Sequence, residues 1–175
     1  MAIDTYSFSH DGIDREAVLY IPDGASYPSP LIMVFHGGGG SAVSIAAQTR
    51  FHENTDALVC YAQGTMKPDS NHRSWNADSR VKQGWVELNE IDDVGYALRL
   101  ANKISDDYLI DSDKFYGVGL SKGGMFTYRN VVKPGGLPFT KIAVVSSVLS
   151  CYPQALENPV PLLHIHASED KTIPL

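Results

Sequence analysis

The residues best suited to covalent chemistry fall in three short stretches. Gly119-Leu120-Ser121-Lys122-Gly123 sets a serine between two flanking glycines. That is the pattern of a tight strand-to-helix turn, which aims a hydroxyl out of the backbone towards a carbonyl carbon. The glycines are needed because a side chain at either place would collide with the neighbouring strand and helix. The helix that opens there offers backbone N–H groups to a developing oxyanion; the plainer alternative is a glycine-rich turn whose serine only caps the helix. His36-Gly37-Gly38-Gly39-Gly40 follows an apolar run. Bare glycine backbone can approach a substrate closely, and an N–H from this loop is the expected second oxyanion donor. The run lacks the Lys-Ser/Thr ending of a P-loop, so phosphate binding is not expected. His166-Ala167-Ser168-Glu169-Asp170 follows the last apolar run. It places Asp170 at the C-terminal edge of a sheet, where the working groups of open α/β sheets gather, with Glu169 as the alternative acid.

These groups need a scaffold, and the hydrophobic pattern supplies one. Two alternating segments, 5–8 and 17–21, flank His10-Asp11-Gly12 and predict a hairpin. The continuous apolar run 31–35 predicts a strand buried on both faces, a second apolar run over 57–62 and the segment 114–118 predict further strands, and 142–145 and 162–166 two more buried ones. Helices are expected over 43–55, over a stretch carrying Ile91, Val94, Leu98, Ala101 and Ile104 at three- and four-residue spacing, and after Ser121 up to Pro134-Gly135-Gly136. Strands alternating with helices mean an α/β fold, a mostly parallel sheet with helices on both faces and right-handed crossovers. The polar segment 63–84 is longer than most connections in compact domains, and loops of that length are usually functional or disordered. No internal repeat or low-complexity tract interrupts the chain, so residues 1–175 read as one domain.

Composition narrows the function classes. The 175 residues carry 14 Lys+Arg against 20 Asp+Glu, a net charge of −6, with 43% hydrophobic and 19% charged residues. The acidic balance and scattered basic residues argue against nucleic acid or anionic lipid as partners. Two cysteines, Cys60 and Cys151, are too few for a disulfide framework and are expected as buried free thiols. The N-terminus shows no basic n-region or apolar h-region, and no apolar stretch is long enough to span a membrane. A cytoplasmic location is the default expectation, with secretion the alternative if the sequence starts at a mature N-terminus.

Taken together, several motifs resemble those of the polyhydroxybutyrate depolymerase and feruloyl esterase group of α/β-hydrolases. They are Val18-Leu19-Tyr20-Ile21-Pro22-Asp23-Gly24, His36-Gly37-Gly38-Gly39, Trp75-Asn76-Ala77, Ile91-Asp92-Asp93-Val94-Gly95, Gly119-Leu120-Ser121-Lys122-Gly123-Gly124-Met125 and His166-Ala167-Ser168-Glu169-Asp170. The likeness runs from about Arg15 to the C-terminus, and the shared order of the motifs is its most specific feature. The resemblance implies an α/β-hydrolase fold and a serine carboxylic-ester hydrolase working through an acyl-enzyme, with no metal and no organic cofactor. Ser121 would be the nucleophile, Asp170 the triad acid, and the backbone N–H groups of Gly37, Gly38 and Lys122 the oxyanion hole. His36, Trp75 and Asn76 would border the substrate cleft. Feruloyl or acetyl esters on polysaccharide, or short hydroxyalkanoate esters, are the implied substrates.

Two departures stand out. Ala167 replaces the family's usual glycine, and the family takes its catalytic histidine from beyond the acid, whereas this sequence ends at Leu175. The expectation is a C-terminally truncated domain whose triad lacks its histidine, so that a second chain or further segment must supply it. Without that base, only about 10³–10⁴-fold catalysis over water would remain. His36 is the nearest stand-in by topology, while His10, His52 and His72 read as structural or exposed. His164 and His166 read as packed strand residues rather than a metal pair, for want of a third ligand. The Lys122 ammonium should point away from the serine hydroxyl. The last strand should be an open edge able to mediate self-association. A hydrolase-fold binding module without catalysis is the rival function; a peptidase or acyltransferase on the same fold is a third.

Overall fold

The computed structural model describes residues 1–78, 84–152 and 159–174. Strands β1 (Ala2–His10) and β2 (Ile13–Ile21) form the expected hairpin, longer than the alternation predicted. Asp11 and Gly12 make the turn with φ of 50° and 76°. Two successive positive φ values match the twist of the flanking strands, so the ladder closes without splay. Strands β3 (Ser29–Phe35) and β4 (Leu58–Ala62) follow, and β4 is buried throughout, as an apolar run in the middle of a parallel sheet should be. The sheet is completed by β7 (Ile110–Leu120), β8 (Lys141–Val145) and β9 (Leu162–Ile165), in the spatial order β1-β2-β4-β3-β7-β8-β9. Within this sheet, among the described residues, β1–β2 and β2–β4 pair antiparallel, while β4–β3, β3–β7, β7–β8 and β8–β9 pair parallel.

Helices lie on both faces. Residues on one face of β3, Leu31, Met33 and Phe35, share a core with α3 (Asp93–Asp107) and α4 (Lys122–Val132). Val34, on the other face, packs with α1 (Ala42–Thr49). Ser41 caps α1 through a reciprocal bond with Ser44, and Asp92 caps α3 by accepting from the Gly95 N–H at 3.1 Å. The helix predicted over 43–55 stops at Thr49, because Arg50 turns left-handed (φ 49°) and the chain continues as a short 3₁₀ turn, Phe51–Glu53. No glycine or proline marks that stop in the sequence. Among the described residues no helix is long and apolar enough to cross a membrane. Cys60 and Cys151 are buried and unbridged, as expected.

The polar segment 63–84 is not a plain loop. It folds into a two-rung hairpin, β5 (Thr65–Met66) with β6 (Arg73–Ser74), and then dives into the core. Residues 79–83 of it lie outside the described residues. A buried ion pair anchors the segment. Arg15 Nη2 donates to Asp93 Oδ1 at 2.7 Å, and Asp93 also accepts from Thr65 Oγ1 at 2.9 Å and from the Asn76 N–H at 2.6 Å. Arg15 lies 3.7 Å over the Tyr96 ring. Two charges out of water need this many partners to be tolerated, and the network thereby joins β2, the long segment and α3. After it comes a single helical turn, α2 (Trp85–Leu88).

One strand meets one expectation and departs from another. The run over 162–166 was expected as a buried strand by its composition and as an open edge by its place at the end of the sheet; it is the open edge, β9, exposed along its length, with Leu162 at 49%, Leu163 at 58% and Ile165 at 53%. Its apolar composition reads as a buried strand, yet β8 is its only sheet neighbour, so its outer edge faces water among the described residues.

Candidate active site

Ser121 sits between the last residue of β7 and the first of α4, with φ 52° and ψ −119°. A non-glycine residue there is strained, and such strain persists only where the surroundings enforce it. The enforcement is visible. A Cβ on Gly119 would lie 2.3 Å from Gly123 O, and one on Gly123 would lie 2.1 Å from Phe35 O, so only glycines let strand and helix approach this closely. The Ser121 N–H donates to Val145 O at 2.9 Å and its carbonyl accepts from Ser147 Oγ at 2.9 Å. Its hydroxyl makes no hydrogen bond among the described residues.

The glycine loop runs beside this serine. A Cβ on Gly37 would meet Ser121 Cβ at 3.4 Å, and one on Gly38 would meet Lys122 Cβ at 3.8 Å. The Gly39 N–H is spent on Arg73 O at 2.7 Å and the Gly40 N–H on Gly37 O at 3.0 Å. The N–H groups of Gly37 and Gly38 have no acceptor among the described residues. Lys122 opens α4, where first-turn N–H groups lack intrahelical partners. Three unspent donors therefore lie around the serine, an arrangement able to stabilise an oxyanion. The Lys122 ammonium is turned aside, as expected, and pairs with Glu87 Oε1 of α2. Glu87 is 1% exposed, and its second oxygen lacks a partner among the described residues.

Asp170 lies in the turn after β9. Its Oδ1 accepts from the N–H groups of Thr172 and Ile173, each at 2.9 Å, and these bonds hold its carboxyl below the usual carboxylate range. The turn is fastened by His166 Nε2, which donates to Ile173 O at 2.7 Å and lies 3.5 Å from Asp170 Oδ2. Glu169, the alternative acid, is exposed.

His36, Trp75 and Asn76, expected at the cleft, are corrected by burial. His36 is 1% exposed, with Nε2 accepting from the Gly64 N–H at 2.9 Å and Nδ1 at 2.7 Å from Gly37 O. Burial pushes its pKa down to about 4, so it is a neutral strut between two loops and not a base. Trp75 is fully buried, stacked on Phe126 at 4.8 Å, with its indole N–H given to His36 O. Asn76 gives its side-chain amide to Ile91 O at 2.8 Å. These three shape the glycine loop from beneath. Of the other histidines, His10 lies 3.2 Å from Asp92, and His52 pairs with the Tyr61 hydroxyl at 2.9 Å. His164, expected to be packed, is exposed on the edge strand, bonded to Tyr128 at 3.0 Å and to His166 at 3.1 Å. None of the six histidines reaches the Ser121 hydroxyl by a hydrogen bond.

Sequence reasoning missed Glu87 and the position of His72. A carboxylate on a one-turn helix carries no spacing signal, and His72 is placed only by the small hairpin, whose ring lies 3.4 Å from where a Cβ of Gly39 would stand.

Solved structures carry the same architecture. A thermostable esterase superposes with a TM-score of 0.68 over 98% of this chain and 48% of its own, at 19% identity. The chain has the α/β-hydrolase fold. The acetyl xylan esterase of Aspergillus awamori gives a second match, with a TM-score of 0.67, 17% identity, and coverage of 86% of this chain and 53% of that one. No family model matches. In sequence, the chain is 26% identical to feruloyl esterase C of Emericella nidulans over 92% of its own length and 57% of that protein's. It is 22% identical to the bifunctional acetylxylan esterase/xylanase XynS20E of Neocallimastix patriciarum over 93% of its own length and 22% of that protein's. The chain thus spans only part of the length of these curated relatives, which are named as esterases.

Proposed function

We propose that the chain carries the nucleophile, oxyanion hole and acid of a serine carboxylic-ester hydrolase. The observation that carries this reading is Ser121 at positive φ on a glycine-walled turn, with the unspent N–H groups of Gly37 and Gly38 beside it. In this reading Ser121 Oγ attacks the ester carbonyl, and the N–H groups of Gly37, Gly38 and Lys122 receive the oxyanion. The alcohol departs with a proton delivered by a histidine, and water then releases the acid. Asp170 orients that histidine. Because none of the six present bonds to Ser121, the proton shuttle is a histidine from residues other than these, in a further segment or a second chain. The names of the relatives favour feruloyl and acetyl esters as substrates; short hydroxyalkanoate esters are a further candidate. No cofactor is required by this chemistry.

The same unassisted serine favours a second reading, a hydrolase-fold module that binds without turning over. Hydrolysis of p-nitrophenyl acetate by the chain and by Ser121→Ala separates them. The esterase reading expects slow release above buffer that is lost in the variant. Equal release from both proteins, with ligand binding intact, supports the module.

A further inference from the structure

Beside the glycine loop lies a second polar feature that the serine chemistry does not use. The β5–β6 hairpin and the start of α2 enclose a pocket of about 290 Å³ walled by Thr65, Lys67, Ser70, His72, Ser74 and Trp85. The hairpin is tied to the glycine loop by the Gly39 N–H···Arg73 O bond, and His72 Nε2 lies 4.0 Å from where a Cβ of Gly38 would stand. The hairpin that walls the pocket therefore also borders the glycine loop beside Ser121, with His72 shared between the two.

The chemistry of the lining is one-sided. Lys67 makes no ion pair, and neither ring nitrogen of His72 has a hydrogen-bond partner, among the described residues. The Ser74 hydroxyl is likewise uncommitted there. Among the described residues no carboxylate lines the pocket; Asp69, at the hairpin tip, is exposed to water. In a chain of net charge −6, a concavity that presents an ammonium, an imidazole and hydroxyls without a counter-charge is suited to an anionic group. Trp85 adds a flat apolar wall to receive the carbon skeleton that bears it.

We propose that this pocket binds a carboxylate carried by the ester substrate, away from the scissile bond, so that the enzyme selects esters of acidic molecules. The proposal takes the bound molecule to be an ester because it rests on the Ser121 reading. Binding itself does not depend on catalysis.

The test uses the full chain as Ser121→Ala, titrated with monomethyl glutarate and, as the neutral counterpart, methyl butyrate, while the His72 ring is followed by NMR. One charge-assisted hydrogen bond corresponds to roughly tenfold to hundredfold in affinity, so monomethyl glutarate should bind at least ~10-fold more tightly and shift the His72 signals. Lys67 is exposed, so Lys67→Ala should fold normally and bring the two ligands to within about twofold, while Lys67→Arg should keep the preference. Equal affinities, no binding of either ligand, or a preference untouched by Lys67→Ala would overturn the proposal. Serine labelling of the unmodified chain is scored separately: carboxylate binding without a reactive Ser121 keeps the pocket and removes the esterase, and the converse removes only the pocket.

Discussion

Replacing Gly123 by alanine tests how the elbow is held. The added methyl would stand 2.1 Å from Phe35 O, 2.6 Å from His36 O and 2.6 Å from Phe35 C. These are backbone atoms of β3 and its exit, so no side chain can swing aside. Ordinary carbon contacts begin at about 3.5 Å, so α4 must retreat from β3 by roughly 1 Å. Overpacking of this kind costs about 1–3 kcal/mol, and with only backbone to yield, the upper end applies. For a chain of this size, about 3 kcal/mol lowers the melting temperature by roughly 6–12 °C. Gly38→Ala is the matched control. Its methyl would meet Lys122 Cβ at 3.8 Å and His72 Nε2 at 4.0 Å, which is ordinary contact, so stability should stay within about 0.5 kcal/mol of the parent. Urea unfolding of the three proteins gives the comparison. If Gly123→Ala melted like Gly38→Ala, the claim that glycines enforce the serine's geometry would be refuted.

Further tests concern buried charge. Lys122→Met strips Glu87, 1% exposed, of its ion partner; because the Lys122 side chain keeps 20% exposure, the loss should be about 2–3 kcal/mol, below that of a fully buried pair. The double variant with Glu87→Leu should recover most of that loss in urea melts. His36, with its pKa lowered from 6.5 to about 4, binds its proton more weakly folded than unfolded. Its contribution to stability is therefore complete above about pH 6.5 and is lost as pH falls from there towards 4, by about 3 kcal/mol in all. NMR should show its ring neutral until pH approaches 4, and titration near 6.5 would contradict its role as a strut. Asp170, with its pKa also held down, acts in the same sense but at lower pH: its contribution is complete above the ordinary carboxylate range and is lost as pH falls below it, so the two effects separate by window.

The sequence made the elbow legible because its signal is local. A strand, a glycine-flanked serine and a helix in succession leave few other folds, and the parallel core strands announce themselves as apolar runs. The long segment was not legible in the same way. Its polar and aromatic residues suggested a cleft, but Trp75 finds Phe126, and Asn76 finds Asp93 and Ile91, only after α3 and α4 have packed. Asp93 appeared in a recognisable motif, yet nothing in its spacing says that it meets Arg15, 78 positions earlier. The left-handed stop at Arg50 likewise depends on tertiary neighbours, on how α1 meets its 3₁₀ turn, whereas the open edge at β9 was already expected.

The central claim is that Ser121 is a preorganised nucleophile short of its proton shuttle. Intact mass of the purified chain before and after a fluorophosphonate probe, with and without added free imidazole, tests it most directly. The account predicts one adduct, located on Ser121 and absent from Ser121→Ala, forming slowly alone and faster when imidazole stands in for the histidine. An adduct on another residue, or none even with imidazole, would contradict it.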